Sequence, residues 1–116
     1  LPERIRRALA PAHAAIEQTP FAQALAAGRI GRAEYAETLS QLGHLHAALE
    51  TALAGAAAVH PAVAALYEPA RMARAAVDRN LEALGQPTAT APAAAIARLV
   101  GAIAGWSANE PWALLG

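Results

Sequence analysis

The chain has 116 residues, enough for one helical domain with a modest core and too few for a second. Nine basic residues balance nine acidic ones, so no net charge draws it to a nucleic-acid backbone or an anionic membrane surface. It contains no cysteine, which excludes disulfides, thiolate metal ligands and cysteine nucleophiles together. Hydrophobic residues make up 56% but aromatics only 4%. Much of the apolar content is alanine, a strong helix former and a small core filler, so the few bulky side chains must supply most of the burial energy.

In chain order, the opening segment 2–18 places Ile5, Leu9 and Ile16 at helical spacing, with Pro2 suited to a first turn and His13 on the apolar stripe. Pro11 lies inside that pattern, where a proline deletes one hydrogen bond and costs about 3 kcal/mol, so a kink or a helix restart is expected. Thr19-Pro20 reads as an N-cap and first-turn proline launching a short helix that Gly28 closes. From about Arg32, Tyr35, Leu39, Leu42, Leu45, Leu49 and Leu53 recur at steps of three and four, which predicts one long helix ending near Gly55.

His60-Pro61 starts another short helix and Glu68-Pro69 stops it, because the residue before a proline avoids helical backbone. Met72, Val77, Leu81 and Leu84 mark a helix within 70–84 that Gly85 caps, and a linker runs from Gln86 to Pro92. A further helix spans about 93–105, and Pro111 opens a last turn that would be unstable in isolation. No apolar stretch reaches the roughly 20 residues of a membrane span, and no signal segment opens the chain, so a soluble cytoplasmic protein is expected.

His13 and Glu17 are four residues apart. On a helix they share a face, so the carboxylate can accept a hydrogen bond from one imidazole nitrogen and leave the other for a metal. The same spacing also fits a half-buried structural histidine with a helix-surface partner. The run His13-Ala-Ala-Ile-Glu17, followed by Phe21, Gly28, Tyr35 and Leu49-Glu50, resembles heme oxygenases in residue type and, without a gap, in spacing over residues 4–54. Arg74, Val77, Asn80, Leu81, Leu84 and Gly85 resemble that family's R..L..DL..LG helix, with Asn80 where an aspartate is usual. The final Pro111-Trp112-Ala113-Leu114-Leu115-Gly116 is similar to the start of the helix that carries the distal glycines in bacterial members, and those glycines are not in this sequence.

The resemblance implies an all-α, heme oxygenase-like multi-helical bundle, with residues 1–116 a single domain that is its proximal half and incomplete at the C-terminus. It implies heme as cofactor and substrate, His13 as the proximal iron ligand and Glu17 as its hydrogen-bond partner. Arg6, two helical turns before His13, would lie near a heme propionate; an ordinary solvated arginine is the other reading. The reaction implied for a complete bundle opens heme oxidatively to biliverdin and releases iron and carbon monoxide, with electrons from a reductase or ferredoxin; the proximal half alone is expected to lack the distal wall that this reaction needs.

The alternative is a non-catalytic protein of the same fold that binds heme or another chain, because a half bundle exposes apolar area that a homodimer would bury. Thiaminase-like enzymes of this architecture are excluded by the missing cysteine nucleophile.

Other polar residues read as structural. His44, His46 and Glu50 form a second group on the long helix but lack the Glu-x-x-His pairs of a dinuclear metal site, so structural or solvent-facing roles are expected. His60 reads as a capping or surface residue. Arg71, Arg74, Asp78, Arg79 and Glu82 read as a solvated face with intrahelical pairs. Trp106 and Trp112 read as core or interface anchors. Gly101 and Gly105, four apart, read as marks of close helix packing and not as a distal wall.

Overall fold

A computed structural model describes residues 3–87 and 91–115, without the side chains of Ile5 and Leu115. The expected first-turn role of Pro2, the middle of the 86–92 linker and the terminal Gly116 lie outside the described residues. The elements are α1 (Glu3–Glu17), α2 (Pro20–Ala26), α3 (Arg32–Val59), α4 (Pro61–Ala64), α5 (Arg74–Ala83) and α6 (Ala94–Asn109), with 3₁₀ turns at Pro69–Arg71 and Pro111–Leu115. Among the described residues there is no strand, in keeping with the all-α class. The chain divides into two compact units, Leu1–Glu34 and Tyr35–Gly116.

In the first unit α1 runs unbroken through Pro11, so the helix does not restart there. Thr19 caps α2 as its sequence predicts: the Ala22 N–H donates to Thr19 Oγ1 at 3.2 Å. Gly28 then adopts φ 65°, and the Gly28 and Arg29 N–H groups donate to the Leu25 and Ala24 carbonyls. These two bonds satisfy carbonyls the helix leaves open, and the positive φ suits glycine best. At the start of α3, the Glu34 side chain reaches back to accept from the Gly31 N–H at 3.0 Å.

The second unit is organised by α3. Its first half carries Ala36 and Leu39, which join Val77 and Leu81 of α5 in one buried cluster with Leu84 packed against it. Its second half supplies Ala56 to another cluster, with Val63 of α4, Ile103 of α6 and Leu114 of the last turn. Leu45, Leu49 and Leu53 pack against that second cluster, while Tyr35 and Leu42 of the same expected ladder are exposed.

Helix α3 passes Gly55 and ends at Val59, four residues beyond the expected stop. A mid-helix glycine costs about 1 kcal/mol, but it stands here in an alanine-rich run, and its φ is not positive. The true terminator is Pro61.

Neither α5 nor α6 has a side-chain cap of its own, since their N-cap residues are Ala73 and Ala93. Helix α3 supplies both from a distance. Glu50 Oε1 accepts from the Ala73 and Arg74 N–H groups, each at 2.8 Å, and Gln41 Oε1 accepts from the Ala93 N–H at 2.8 Å. Arg74 returns the connection by donating from Nη1 to the Gly43 carbonyl at 2.8 Å, while its Nε forms the expected intrahelical pair with Asp78. Gly85, at φ 67°, ends α5 with the same pair of capping bonds seen at Gly28, made by Gly85 to Glu82 and Gln86 to Leu81.

Three expectations change. The last turn, which local propensity leaves unstable, is held by Leu114 in the core and by contacts with α4 and α6. Trp106 and Trp112 are exposed and are not core anchors. Gly101 and Gly105 do not mark close packing, because a Cβ on either would meet nothing within 4 Å, whereas Ile103 between them carries the buried contact.

The distant cap sets a stability prediction. Glu50→Ala leaves two part-buried N–H groups without their acceptor and should destabilise the protein by about 1–3 kcal/mol, read as a lower urea midpoint. Glu50→Gln keeps an accepting oxygen and should recover most of that loss. Leu114→Ala should cost about 2–4 kcal/mol in the same measurement, because it opens a cavity around the buried Val63.

Candidate functional site

Helix α1 carries the residues that sequence reasoning singled out, and it gathers them on one face. Arg6, Leu9, Ala10, His13, Ala14 and Glu17 line a groove of about 370 Å³. Their numbers advance alternately by three and one, so that residues three and four apart stack along one face of the helix. Arg6, His13 and Glu17 were expected. Leu9 stood on the predicted stripe, while Ala10 and Ala14 had no chemistry to mark them and are legible only as the small positions between larger neighbours.

The Nε2 atom of His13 lies 3.1 Å from Glu17 Oε1. The two side chains are 75% and 67% exposed, so His13 is not the half-buried histidine that its spacing also allowed. Glu17 engages one ring nitrogen and leaves Nδ1 as the other. Rotation of an exposed ring exchanges the two, so the carboxylate can back whichever nitrogen is not used. Arg6 stands at the N-terminal end of the groove, where its Nη1 lies 3.3 Å from Glu3 Oε2 in a solvent-exposed pair.

The second histidine–carboxylate pair has the same spacing and a different employment. His46 Nδ1 is 3.5 Å from Glu50 Oε1, with side chains 31% and 19% exposed. That oxygen is already committed to the start of α5, so the pair is structural, as its reading predicted. Among the described residues no group of three or more His, Cys, Asp or Glu is placed to hold a metal ion.

His60 occupies the N-cap position of α4, but its side chain makes no capping bond. Its ring instead lies against the Trp112 indole, with centroids 5.5 Å apart and planes tilted by 54°. The capping role is therefore replaced by a ring contact.

A larger hollow of about 600 Å³ lies in the second unit between α3 and α6. It is lined by small and apolar side chains such as Ala47, Ala52, Val100 and Ala104, with Thr51 and Ser107 as its only polar members. It offers no titratable group. The α1 groove is smaller but is the one that combines an imidazole, a carboxylate and a guanidinium.

Heme makes three demands of a protein wall: an accessible imidazole held by an acceptor, an apolar strip for the macrocycle and a cation for its carboxylates. The α1 groove contains all three, and the small side chains of Ala10 and Ala14 leave room for a flat ring beside His13. The residues present fit the group.

Fold and groove together define an all-α protein with a histidine-bearing helix face. The chain belongs to the heme oxygenase family, whose family model, described as Heme oxygenase, matches residues 1–116. Heme binding and degradation are the functions of that family, and heme is its substrate and ligand. No curated protein and no solved structure matches the chain. Among the described residues no helix is long and apolar enough to cross a membrane.

The two carboxylates should separate cleanly by mutation. Glu17→Ala removes an exposed i,i+4 pair and should move the urea unfolding free energy by no more than about 0.5 kcal/mol, well below the effect at Glu50.

Proposed function

We propose that this protein is a heme oxygenase whose α1 forms the proximal wall of the heme site, with His13 as the iron ligand. The observation that carries the reading is the His13–Glu17 pair, 3.1 Å apart, at the C-terminal end of a groove whose other end is Arg6. Heme held there would supply the redox metal and, in a complete bundle, would itself be the ring that dioxygen oxidises and opens, giving biliverdin, iron and carbon monoxide. A reductase or ferredoxin provides the electrons, and the reaction takes place in the cytoplasm.

Each residue of the groove has a role that follows from its chemistry. The His13 imidazole donates a nitrogen lone pair to the iron. Glu17 accepts a hydrogen bond from the other ring nitrogen, which fixes the ring's orientation and makes the ligating nitrogen more basic. Arg6 offers a planar fork of donors to a propionate carboxylate, and to reach it the side chain gives up only an exposed pair with Glu3. Leu9 covers apolar ring surface, and Ala10 and Ala14 keep the helix backbone close to the macrocycle.

Hemin titration tests the assignment. His13→Ala should abolish the histidine-ligated absorption spectrum, and an unchanged Soret band in that variant would remove His13 from the site. Glu17→Ala should keep the ligand but weaken heme binding or activity by about 10 to 100-fold.

A further inference from the structure

We infer that α1 is only fractionally helical before heme binds and that binding completes it across Pro11, which makes Pro11 a brake on heme affinity. The inference rests on the heme reading of the α1 groove. Two observations carry it: where Pro11 stands in the groove, and how little else holds the helix.

Pro11 divides the groove. Arg6, Leu9 and Ala10 precede it, while His13, Ala14 and Glu17 follow it. They form one strip only if the helix is continuous through the proline, where the missing N–H leaves the Arg7 carbonyl without its intrahelical donor. A ligand that touches both His13 and Arg6 therefore binds only the continuous form, and binding shifts the population toward it.

Little inside the first unit favours that form. None of the described side chains in residues 3–34 is buried, and Leu9 and Ile16, the bulky apolar side chains described in α1, are 52% and 64% exposed. The N-terminal half is tied by the pairs of Glu3 with Arg6 and Arg7, at 3.3 and 3.6 Å, which are exposed and weak. The C-terminal half ends at Thr19, whose hydroxyl donates to the Ile16 carbonyl at 2.8 Å. A 15-residue helix with an interior proline and no packed face is marginal by itself. Affinity for a ligand that selects one state falls in proportion to the fraction of that state present.

The consequence has two opposite arms, at residues that do not line the groove. Pro11→Ala restores the missing donor and should tighten hemin binding by about tenfold or more, with about a hundredfold as the ceiling set by the proline penalty. Ala15→Gly lowers helix propensity and should weaken binding by about fivefold.

The experiment is amide hydrogen exchange on the full chain, with and without hemin, alongside hemin titrations of wild type and both variants. Residues 3–17 should exchange rapidly in the hemin-free wild type while the buried part of α3 is protected. Hemin should slow α1, and Pro11→Ala should slow it even without hemin. Protection of hemin-free α1 equal to that of α3, or an affinity unchanged by Pro11→Ala, overturns the inference while leaving heme binding intact. A wild-type chain that gives no histidine-ligated hemin spectrum overturns the heme reading itself, and the coupling with it.

Discussion

The second unit depends on hydrogen bonds that α3 extends to helices far from it in sequence. An α-helix begins with N–H groups that have no partner inside the helix, and serine, threonine, aspartate or asparagine usually supplies one locally. Ala73 and Ala93 cannot. Glu50 and Gln41 do it from α3, 23 and 52 residues away from the N–H groups they accept from. Because a carboxylate also favours the positive end of a helix dipole, Glu50 serves α5 by both charge and hydrogen bonding. The clusters formed by Leu39 with Val77 and Leu81, and by Ala56 with Val63 and Ile103, are arranged along the same helix. In an alanine-rich chain with little bulky apolar mass, such polar fixings define where weakly cored helices begin.

The two histidine–glutamate pairs show how one local pattern takes two roles. Both are spaced i,i+4 and both bring an imidazole nitrogen near a carboxylate oxygen. Glu50 is surrounded by backbone donors and is largely covered, so its oxygen is consumed in joining α3 to α5. Glu17 meets His13 in an open groove, so its oxygen is available to orient a ligand. On the proposed reading, their environments, more than their geometry, separate the structural pair from the ligand-orienting one.

In the heme wall proposed on α1, the small side chains of Ala10 and Ala14 flank His13, while Leu9, Arg6 and Glu17 frame it. Such a wall presents its chemistry without a deep cavity. Its cost is a helix face that has no packing of its own within the first unit. In α3 the continuity of the helix is secured by buried side chains, whereas in α1 it passes through a proline with only exposed contacts beside it.

Much of this was legible in the sequence because it is local. Thr19-Pro20, Gly28 and Gly85 act through their own backbone geometry, so their capping roles are set within a few residues. The strip Arg6–His13–Glu17 follows from helical spacing alone, and the resemblance supplied its chemical meaning. The end of α3 lies beyond Gly55 because the glycine's penalty competes with the alanine run around it, and only Pro61 ends the helix. Tertiary structure decided what neighbours alone can decide: that Glu50 and Gln41 start other helices, that Leu114 stabilises a turn too short to persist by itself, that the His60 ring turns to Trp112, and that Gly101 and Gly105 face open space. Each depends on what the rest of the chain brings near, or leaves open, and spacing along one helix carries no information about its partner.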